Sequence, residues 1–297
     1  MKRTSFIAIV GRPNVGKSTL LNAILGEKVA IVSKKPQTTR NRITGIHTVG
    51  EDQYVFLDTP GMHKPRTKLG DFMVKTASET LGGVDAAILV VEAREEVGDI
   101  EAALIARMRS DKLPAILVIN KTDTVRPVNI AKTIAAYAAA YDFDAVVPMS
   151  AKSGKGIDIL ITECERYLNE SEWFFPDDIV TDQPEKKIAA EIIREKLLRL
   201  LEDEIPHGTA VTIEEWSEKR DMVKIRAEIY CERQTHKGII IGKHGATIKT
   251  IGTYAREDIE RMLDTKVFLD LYVRVKENWR DSDFNINNFG FNEEGNF

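Results

Sequence analysis

The sequence predicts a doubly wound α/β domain with a mostly parallel sheet, followed by a smaller α+β domain. Short apolar runs alternate with helical patterns over residues 3–169, as is typical of strands buried on both faces. A stretch rich in prolines and acids then interrupts the pattern. A length of 297 residues suggests one large domain or two ordinary ones. We expect a first domain at 1–172, a linker at 173–184, a second domain at 185–280 and a loosely ordered tail at 281–297.

The first domain takes its predicted sheet from five apolar runs. Helical patterns at Asp99–Arg109 and Ile130–Tyr141 lie between them. In a doubly wound sheet the ligand lies at the carboxyl ends of the strands. The runs are Phe6–Val10, Tyr54–Leu57, Ala86–Val91, Ala115–Ile119 and Ala145–Val147.

A glycine loop follows the first of these strands and precedes a helical pattern. It reads G-x-x-x-x-G-K-S, whose backbone N–H groups cradle phosphates at a helix start. Lys17 is expected to reach the β- and γ-phosphates, and Ser18 to hold Mg²⁺. The residues predicted to contact the nucleotide here are Gly11, Asn14, Val15, Gly16, Lys17, Ser18 and Thr19.

A second polar cluster follows the run Tyr54–Leu57. Asp58, at the end of that strand, can anchor Mg²⁺, and Gly61 can bring its backbone N–H close to the γ-phosphate. The pattern D-x-x-G is by itself often only a turn, so its meaning depends on the preceding glycine loop.

The choice of base is predicted by Asn120-Lys121-Thr122-Asp123, which follows the fourth strand. The Asp123 carboxylate can accept two hydrogen bonds from guanine, whereas adenine would present an acceptor to it. Lys121 can lie along the base, and Asn120 can tie this loop to the glycine loop. After the fifth strand, Ser150-Ala151-Lys152 can donate a backbone N–H to the guanine carbonyl and pack Lys152 on the base.

These motifs, in this order, resemble those of the translation-factor-related GTPases. That resemblance implies a switch segment between the first helix and the second strand, here residues 32–40. Its Mg²⁺-binding threonine is matched by Thr39, with Thr38 as the other candidate, and a solvated basic loop is the alternative interpretation. We therefore expect Ser18, Thr39 and Asp58 at the metal, and Lys17, Thr39, Gly61 and Asn14 in hydrolysis.

One position departs from many GTPases. The residue after Gly61 is Met62 instead of a glutamine that orients the attacking water, and a thioether is a poor hydrogen-bonding group. We expect slow intrinsic hydrolysis, raised by a partner or a cation. Asn14 resembles the asparagine that holds K⁺ in some related GTPases.

The second half predicts the order helix, strand, strand, helix, helix, strand. Residues 185–205 form an amphipathic helical pattern with Lys, Arg and Glu on its polar face. The remaining predicted elements are strands at Thr209–Trp216, Met222–Tyr230 and Lys266–Lys276 and a helix at Thr247–Leu263.

A G-x-x-G loop lies within the isoleucine-rich stretch 239–248 of this half. Five Lys or Arg and no acids occur between Arg233 and Arg256, so positive charge is concentrated there although the whole chain carries a net charge of −4. Loop, element order and charge resemble the type II KH fold, whose loop clamps about four nucleotides. The predicted RNA-binding residues are Ile241, Gly242, Lys243, His244, Gly245 and Lys249.

The two halves together resemble the Era family of bacterial GTPases, over residues 3 to about 280. The resemblance implies GTP hydrolysis with Mg²⁺, binding near the 3′ end of 16S ribosomal RNA, a role in 30S subunit assembly and peripheral association with the inner membrane. We expect a cytoplasmic monomer. Two other functions stay open: an RNA-binding module whose GTPase domain is a scaffold, and a membrane-associated regulatory GTPase.

Overall fold

The computed structural model describes residues 1–291, which divide into two compact units. The first unit contains Met1–Ala30, Thr39–Arg66 and Gly70–Asp182. The second contains the chain from Gln183 onward together with the short segments Ile31–Thr38 and Thr67–Leu69. The main division thus falls inside the segment 173–184 that was predicted as a linker.

A seven-stranded sheet forms the centre of the first unit, in the order β2-β3-β1-β4-β5-β6 with β7 beside β1. β2 and β7 run antiparallel to their neighbours and the other pairs are parallel, so the predicted doubly wound sheet is confirmed. The strands are β1 (Arg3–Val10), β2 (Ile43–Val49), β3 (Asp52–Asp58), β4 (Ala86–Glu92), β5 (Ala115–Asn120), β6 (Ala145–Pro148) and β7 (Asn169–Glu170).

Helices cover this sheet, and β1, β4 and β5 have almost no exposed side chains. This burial explains why those strands appear in the sequence as unbroken apolar runs. The helices are α1 (Lys17–Leu25), α2 (Lys68–Thr80), α3 (Asp99–Ser110), α4 (Pro127–Ala140) and α5 (Ile157–Cys164).

Strand register brings the predicted polar motifs to one edge. Ile9, near the end of β1, lies opposite Asp58 at the end of β3, and Glu92 at the end of β4 lies opposite Asn120 at the end of β5. Since these strands are parallel, the loops that follow them leave the sheet on the same side.

The second unit has the predicted order of elements, with a three-stranded sheet in the order β10-β9-β8. β8 and β9 form an antiparallel hairpin and β10 pairs in parallel with β9. Alternate residues of β9, such as Ile225 and Ile229, are buried with the apolar faces of the helices. The elements are α6 (Glu185–Leu200), β8 (Ala210–Lys219), β9 (Met222–Cys231), α7 (Gln234–Ile241), α8 (Ala246–Leu263) and β10 (Lys266–Val275).

The prediction of a loosely ordered tail from residue 281 is wrong for the part that the structure describes. A further helix, α9, spans Asp283–Asn288, and Phe291 is buried. The Trp279 ring packs against Phe289 and Phe291, and its indole N–H donates to the Gly208 carbonyl. Residues 292–297 of the predicted tail lie outside the described residues.

The segment after residue 172 packs against the first unit. Trp173 donates its indole N–H to the Glu51 carbonyl, and Phe174 meets Phe6 edge to face. Among the helices of residues 1–291, none is both long and apolar enough to cross a membrane.

Candidate nucleotide site and nucleic-acid loop

Lys17 lies at the start of α1 with its ammonium group inside the curve of the glycine loop. Its side chain is 6% exposed, and Nζ donates to the carbonyls of Gly11 (3.2 Å) and Arg12 (3.0 Å). Burial lowers the pKa of Lys17 to about 8, opposed by the charge of Asp58. A cation held in this way is suited to a phosphate, which would replace the weaker carbonyl partners.

Three oxygen-bearing side chains meet beside Lys17. Ser18 Oγ donates to Asp58 Oδ2 at 2.5 Å and lies 2.8 Å from Thr39 Oγ1. Asp58 is completely buried, and burial raises its pKa to about 6 against the opposing effects of Lys17, Ser18 and the Thr59 N–H.

These three side chains suit Mg²⁺. Hard oxygen ligands are what this ion prefers. Asp58 Oδ1 is buried and has no hydrogen-bond partner among the described residues, so a ligand position remains on the carboxylate. The structure also separates the two candidate threonines. Thr38 points its hydroxyl at the Lys35 carbonyl, and only Thr39 reaches Ser18.

Asn120 joins the loops expected around the base. Its Nδ2 donates to the Val15 carbonyl at 2.8 Å, and its Oδ1 accepts from the Ala151 N–H at 2.9 Å. The Asn120 side chain, at the end of β5, therefore connects the glycine loop to the loop after β6. The sequence analysis predicted the connection to the glycine loop but not the one to the loop after β6. Ser150 and Ala151 are buried, while Lys152 is exposed.

Asp123 lies in a single 3₁₀ turn after β5, and its side chain is exposed. Lys121 precedes that turn with a left-handed backbone. Its ammonium donates to the Asn14 carbonyl at 2.7 Å and pairs with Glu92. Sequence reasoning missed Glu92, although its position directly after the apolar run Ala86–Val91 marks it as a strand-end residue.

An ion pair beside the glycine loop was not predicted. The Arg12 guanidinium pairs with Glu101, which is buried in the first turn of α3.

Met62, which the sequence places where many GTPases have a glutamine, is partly buried. Its side chain packs against the apolar cluster around Leu104 and Ile119. This packing agrees with the inference that it does not orient water.

The switch segment Ile31–Thr38 belongs to the second unit, where it packs on α6. The buried Glu195 carboxylate accepts from the Val32 N–H at 3.1 Å, and Arg199 donates to the Val32 carbonyl at 3.3 Å. Arg194 donates to the Thr38 carbonyl. The polar face predicted for this helix is therefore buried at Arg194, Glu195 and Lys196, because charged partners and the switch segment cover it.

The G-x-x-G loop connects α7 to α8. Gly242 has a φ of 75°, and a Cβ there would lie 2.2 Å from Thr247 Oγ1, so only glycine fits. Lys243, His244 and Lys249 are exposed, whereas Ile241 and Ile248 are partly buried against the core of the unit. The loop thus presents its basic side chains outward from a tightly folded turn.

Fold and site define a phosphate-loop GTPase unit followed by a KH domain. The family model "50S ribosome-binding GTPase" matches residues 6–121, and the model "KH domain" matches residues 204–280. The chain belongs to the Era family of GTPases. It is 48% identical to GTPase Era of Ruminiclostridium cellulolyticum, over 97% of both chains, and 50% identical to that of Clostridioides difficile, over 99% of this chain and 100% of the relative.

Two solved structures agree with this assignment. One is Era in complex with MgGDPNP and nucleotides 1506–1542 of 16S ribosomal RNA, with a TM-score of 0.94 and 37% identity over 98% of this chain and 99% of that one. The other is a variant of Aquifex aeolicus Era bound to GDP·AlF₄⁻, with a TM-score of 0.94 and 38% identity over 97% and 99%. The family's activity is GTP hydrolysis with Mg²⁺.

Proposed function

We propose that this GTPase binds the 3′ region of 16S ribosomal RNA through its G-x-x-G loop and acts in assembly of the 30S subunit. The observation that carries the proposal is the exposed basic loop. Lys243 and His244 lie in a turn at whose first position, Gly242, only glycine fits, and a relative of this chain was solved with that RNA. Two glycines beside exposed basic groups let a nucleic-acid backbone approach closely.

In the nucleotide site each residue has one task. Lys17 binds the β- and γ-phosphates, Asp123 accepts the guanine N–H groups, and Asn120 fixes the loops that carry them. Ser18, Thr39 and Asp58 would hold Mg²⁺, which supplies positive charge to the phosphates during hydrolysis. The Gly61 N–H would face the γ-phosphate.

The switch segment supports a route between nucleotide and RNA. Thr39 belongs to the first unit, and the residue before it is bonded through its carbonyl to α6 of the second. Ordering of Thr39 by Mg²⁺ and GTP would therefore act directly on a segment that packs with the KH helices.

For the cation, we propose that Asn14 holds K⁺ during hydrolysis. Its backbone has a left-handed φ of 64° in the middle of the loop, and its carbonyl is tied to Lys121. Replacing K⁺ by Na⁺ at constant ionic strength should slow GTP turnover, and equal rates in the two buffers would contradict this role.

For the cellular location, we propose a cytoplasmic monomer that associates peripherally with the inner membrane. The family resemblance supports the membrane part, and flotation with anionic vesicles would test it. Protein that stays in the bottom fraction at low salt would contradict membrane association.

The test of the RNA proposal is a charge reversal at the loop. The double variant Lys243→Asp, His244→Asp should lose binding to a 16S 3′ oligonucleotide by at least about tenfold, because two phosphate-facing positions become repulsive. The matched control is Lys219→Asp, Arg220→Asp, which makes a similar change at the exposed β8–β9 hairpin. Equal loss in both variants, or none in the loop variant, would contradict a role for the loop.

A further inference from the structure

His63 is a polar residue of the turn after Gly61 that the site described above does not use. Its imidazole is half-buried, and Nδ1 lies 3.0 Å from the Gly61 carbonyl oxygen. Because a carbonyl can only accept a hydrogen bond, Nδ1 carries the proton in this contact.

The peptide that His63 contacts is held at both of its polar atoms. Its oxygen is the Gly61 carbonyl, and its N–H, on Met62, donates to the Gly11 carbonyl at 3.3 Å. The approach to the glycine loop is close, since a Cβ at Gly61 would lie 2.7 Å from Pro13 Cα. The plane of the Gly61–Met62 peptide is therefore fixed between His63 and the phosphate-binding loop.

The Gly61 N–H belongs to the preceding peptide, which is joined to the Gly61–Met62 peptide through the Gly61 Cα. When the Gly61–Met62 peptide is fixed, the backbone rotations at Gly61 that would turn this N–H away from the γ-phosphate position are restricted. Met62 contributes no polar side-chain group to this turn, because its thioether side chain is a poor hydrogen-bonding group and packs against the apolar cluster of the unit.

We infer that His63 is a positioning residue for GTP hydrolysis. It donates from Nδ1 to the Gly61 carbonyl and so keeps the Gly61 N–H directed at the γ-phosphate. The hydrogen bond uses a proton that is present on both the neutral Nδ1–H tautomer and the imidazolium, so the positioning role requires no proton transfer to or from His63. The inference rests on the GTPase activity of the family and is independent of RNA binding.

Substitution of His63 by asparagine or glutamine tests whether the hydrogen bond from the Nδ1 position is what matters. The Nδ2 of asparagine can occupy the position of histidine Nδ1, whereas the amide of glutamine extends further, toward the position of Nε2. Single-turnover hydrolysis should slow by roughly threefold to tenfold in His63→Ala, the value of one hydrogen bond. His63→Gln should be similarly slow, and His63→Asn should recover most of the rate. Lys64→Ala, at the exposed neighbouring position, is the control expected to match the unchanged protein.

Two further readouts exclude a merely structural or a proton-transfer role. The Kd for GDP should be the same in all four variants, and the pH–rate profile of His63→Asn should parallel that of the unchanged protein. The inference is overturned if His63→Ala hydrolyses GTP at the unchanged rate, or if His63→Asn is as slow as His63→Ala. It is also overturned if the GDP affinity falls together with the rate. A GTPase that works normally without His63 would leave the proposed RNA function untouched.

Discussion

Asp123 is the side chain that we propose reads the base. It stands in a short turn whose start is anchored by a hydrogen bond from the Thr122 N–H to the Met149 carbonyl at 3.1 Å, so the backbone that carries the carboxylate is held in place. Asp123→Asn puts an N–H donor against the guanine N–H groups. GTP affinity should fall by at least about a hundredfold, while xanthosine triphosphate, which has a carbonyl in place of the amino group, should bind better. Competition with a fluorescent nucleotide measures both, and parallel losses for the two nucleotides would contradict base reading by this residue.

The proposed role of Asp58 at the metal predicts that Mg²⁺·GTP binding depends on pH. Its pKa of about 6 lies above the ordinary value because the carboxyl is buried, and Mg²⁺ requires the ionised form. Protons therefore compete with the metal below pH 6, and the affinity for Mg²⁺·GTP should fall by up to about tenfold for each further pH unit. Above pH 6 this dependence should disappear.

The control for the pH series is Asp58→Asn, whose affinity reflects the titration of the nucleotide and of the other groups of the site but not that of Asp58. The ratio of the two affinities between pH 5 and 7.5, measured by calorimetry, isolates the carboxyl. A ratio that stays constant through pH 6 would contradict the raised pKa.

Single-residue chemistry was the most predictable part of this protein. The glycine loop, Asp58, Asn120 and Asp123 were placed at one sheet edge from the strand order alone, because parallel strands end on the same side. The family resemblance favoured Thr39 and left Thr38 as the other candidate, and the directions of the two hydroxyl groups, which separate them, are visible only in the structure. The hydrogen bond from His63 to Gly61 was likewise invisible, because it depends on the conformation of the turn.

At the scale of elements, the sequence predicted the strands and helices whose buried residues form a local pattern, either an unbroken apolar run or a helical period. β2 was missed because threonines, a glycine and a histidine separate the three aliphatic residues of Ile43–Val49, so it contains no apolar run. The chain from 281 to 291 was misjudged because its aromatics follow no period and find their partners only in the folded unit. For α6 the sequence predicts a charged face, but nothing local shows that residues 31–38 cover that face.

The burial of that face leads to a test of α6. Glu195 accepts from Val32, Lys196 and Arg199. Glu195→Ala therefore removes one anchor of the switch segment and the carboxylate partner of Arg199, while Lys196 keeps its ion pair with Asp258. Backbone amides of residues 31–38 should exchange faster, by roughly tenfold for a loss of about 1.4 kcal/mol, as measured by hydrogen–deuterium exchange. The control is Glu185→Ala at the exposed start of the same helix. Unchanged exchange in Glu195→Ala would contradict anchoring of the segment by this helix.

At the scale of the whole molecule, the segment Ile31–Thr38 belongs to the second unit, although Thr39, the next residue, belongs to the first. This grouping predicts that the binding of GTP and the binding of RNA are thermodynamically coupled. If GTP orders Thr39, the preceding segment and its anchors on α6 respond, and the KH loop belongs to the same compact unit. Linkage requires that the factor by which GTP changes RNA affinity equals the factor by which RNA changes GTP affinity. We expect a common factor of roughly fivefold or more, with a non-hydrolysable GTP analogue and a 16S 3′ oligonucleotide.

Both factors should be measured at one salt concentration, because phosphate contacts make RNA affinity strongly salt-dependent. A scrambled oligonucleotide of the same length supplies the non-specific factor, which should be close to one. In Glu195→Ala both factors should move toward one together, since the variant loosens the segment without touching either ligand. An RNA that accelerates hydrolysis yet leaves GTP affinity unchanged would place its effect on the transition state alone. The switch segment would then respond to the reaction and not to the bound nucleotide.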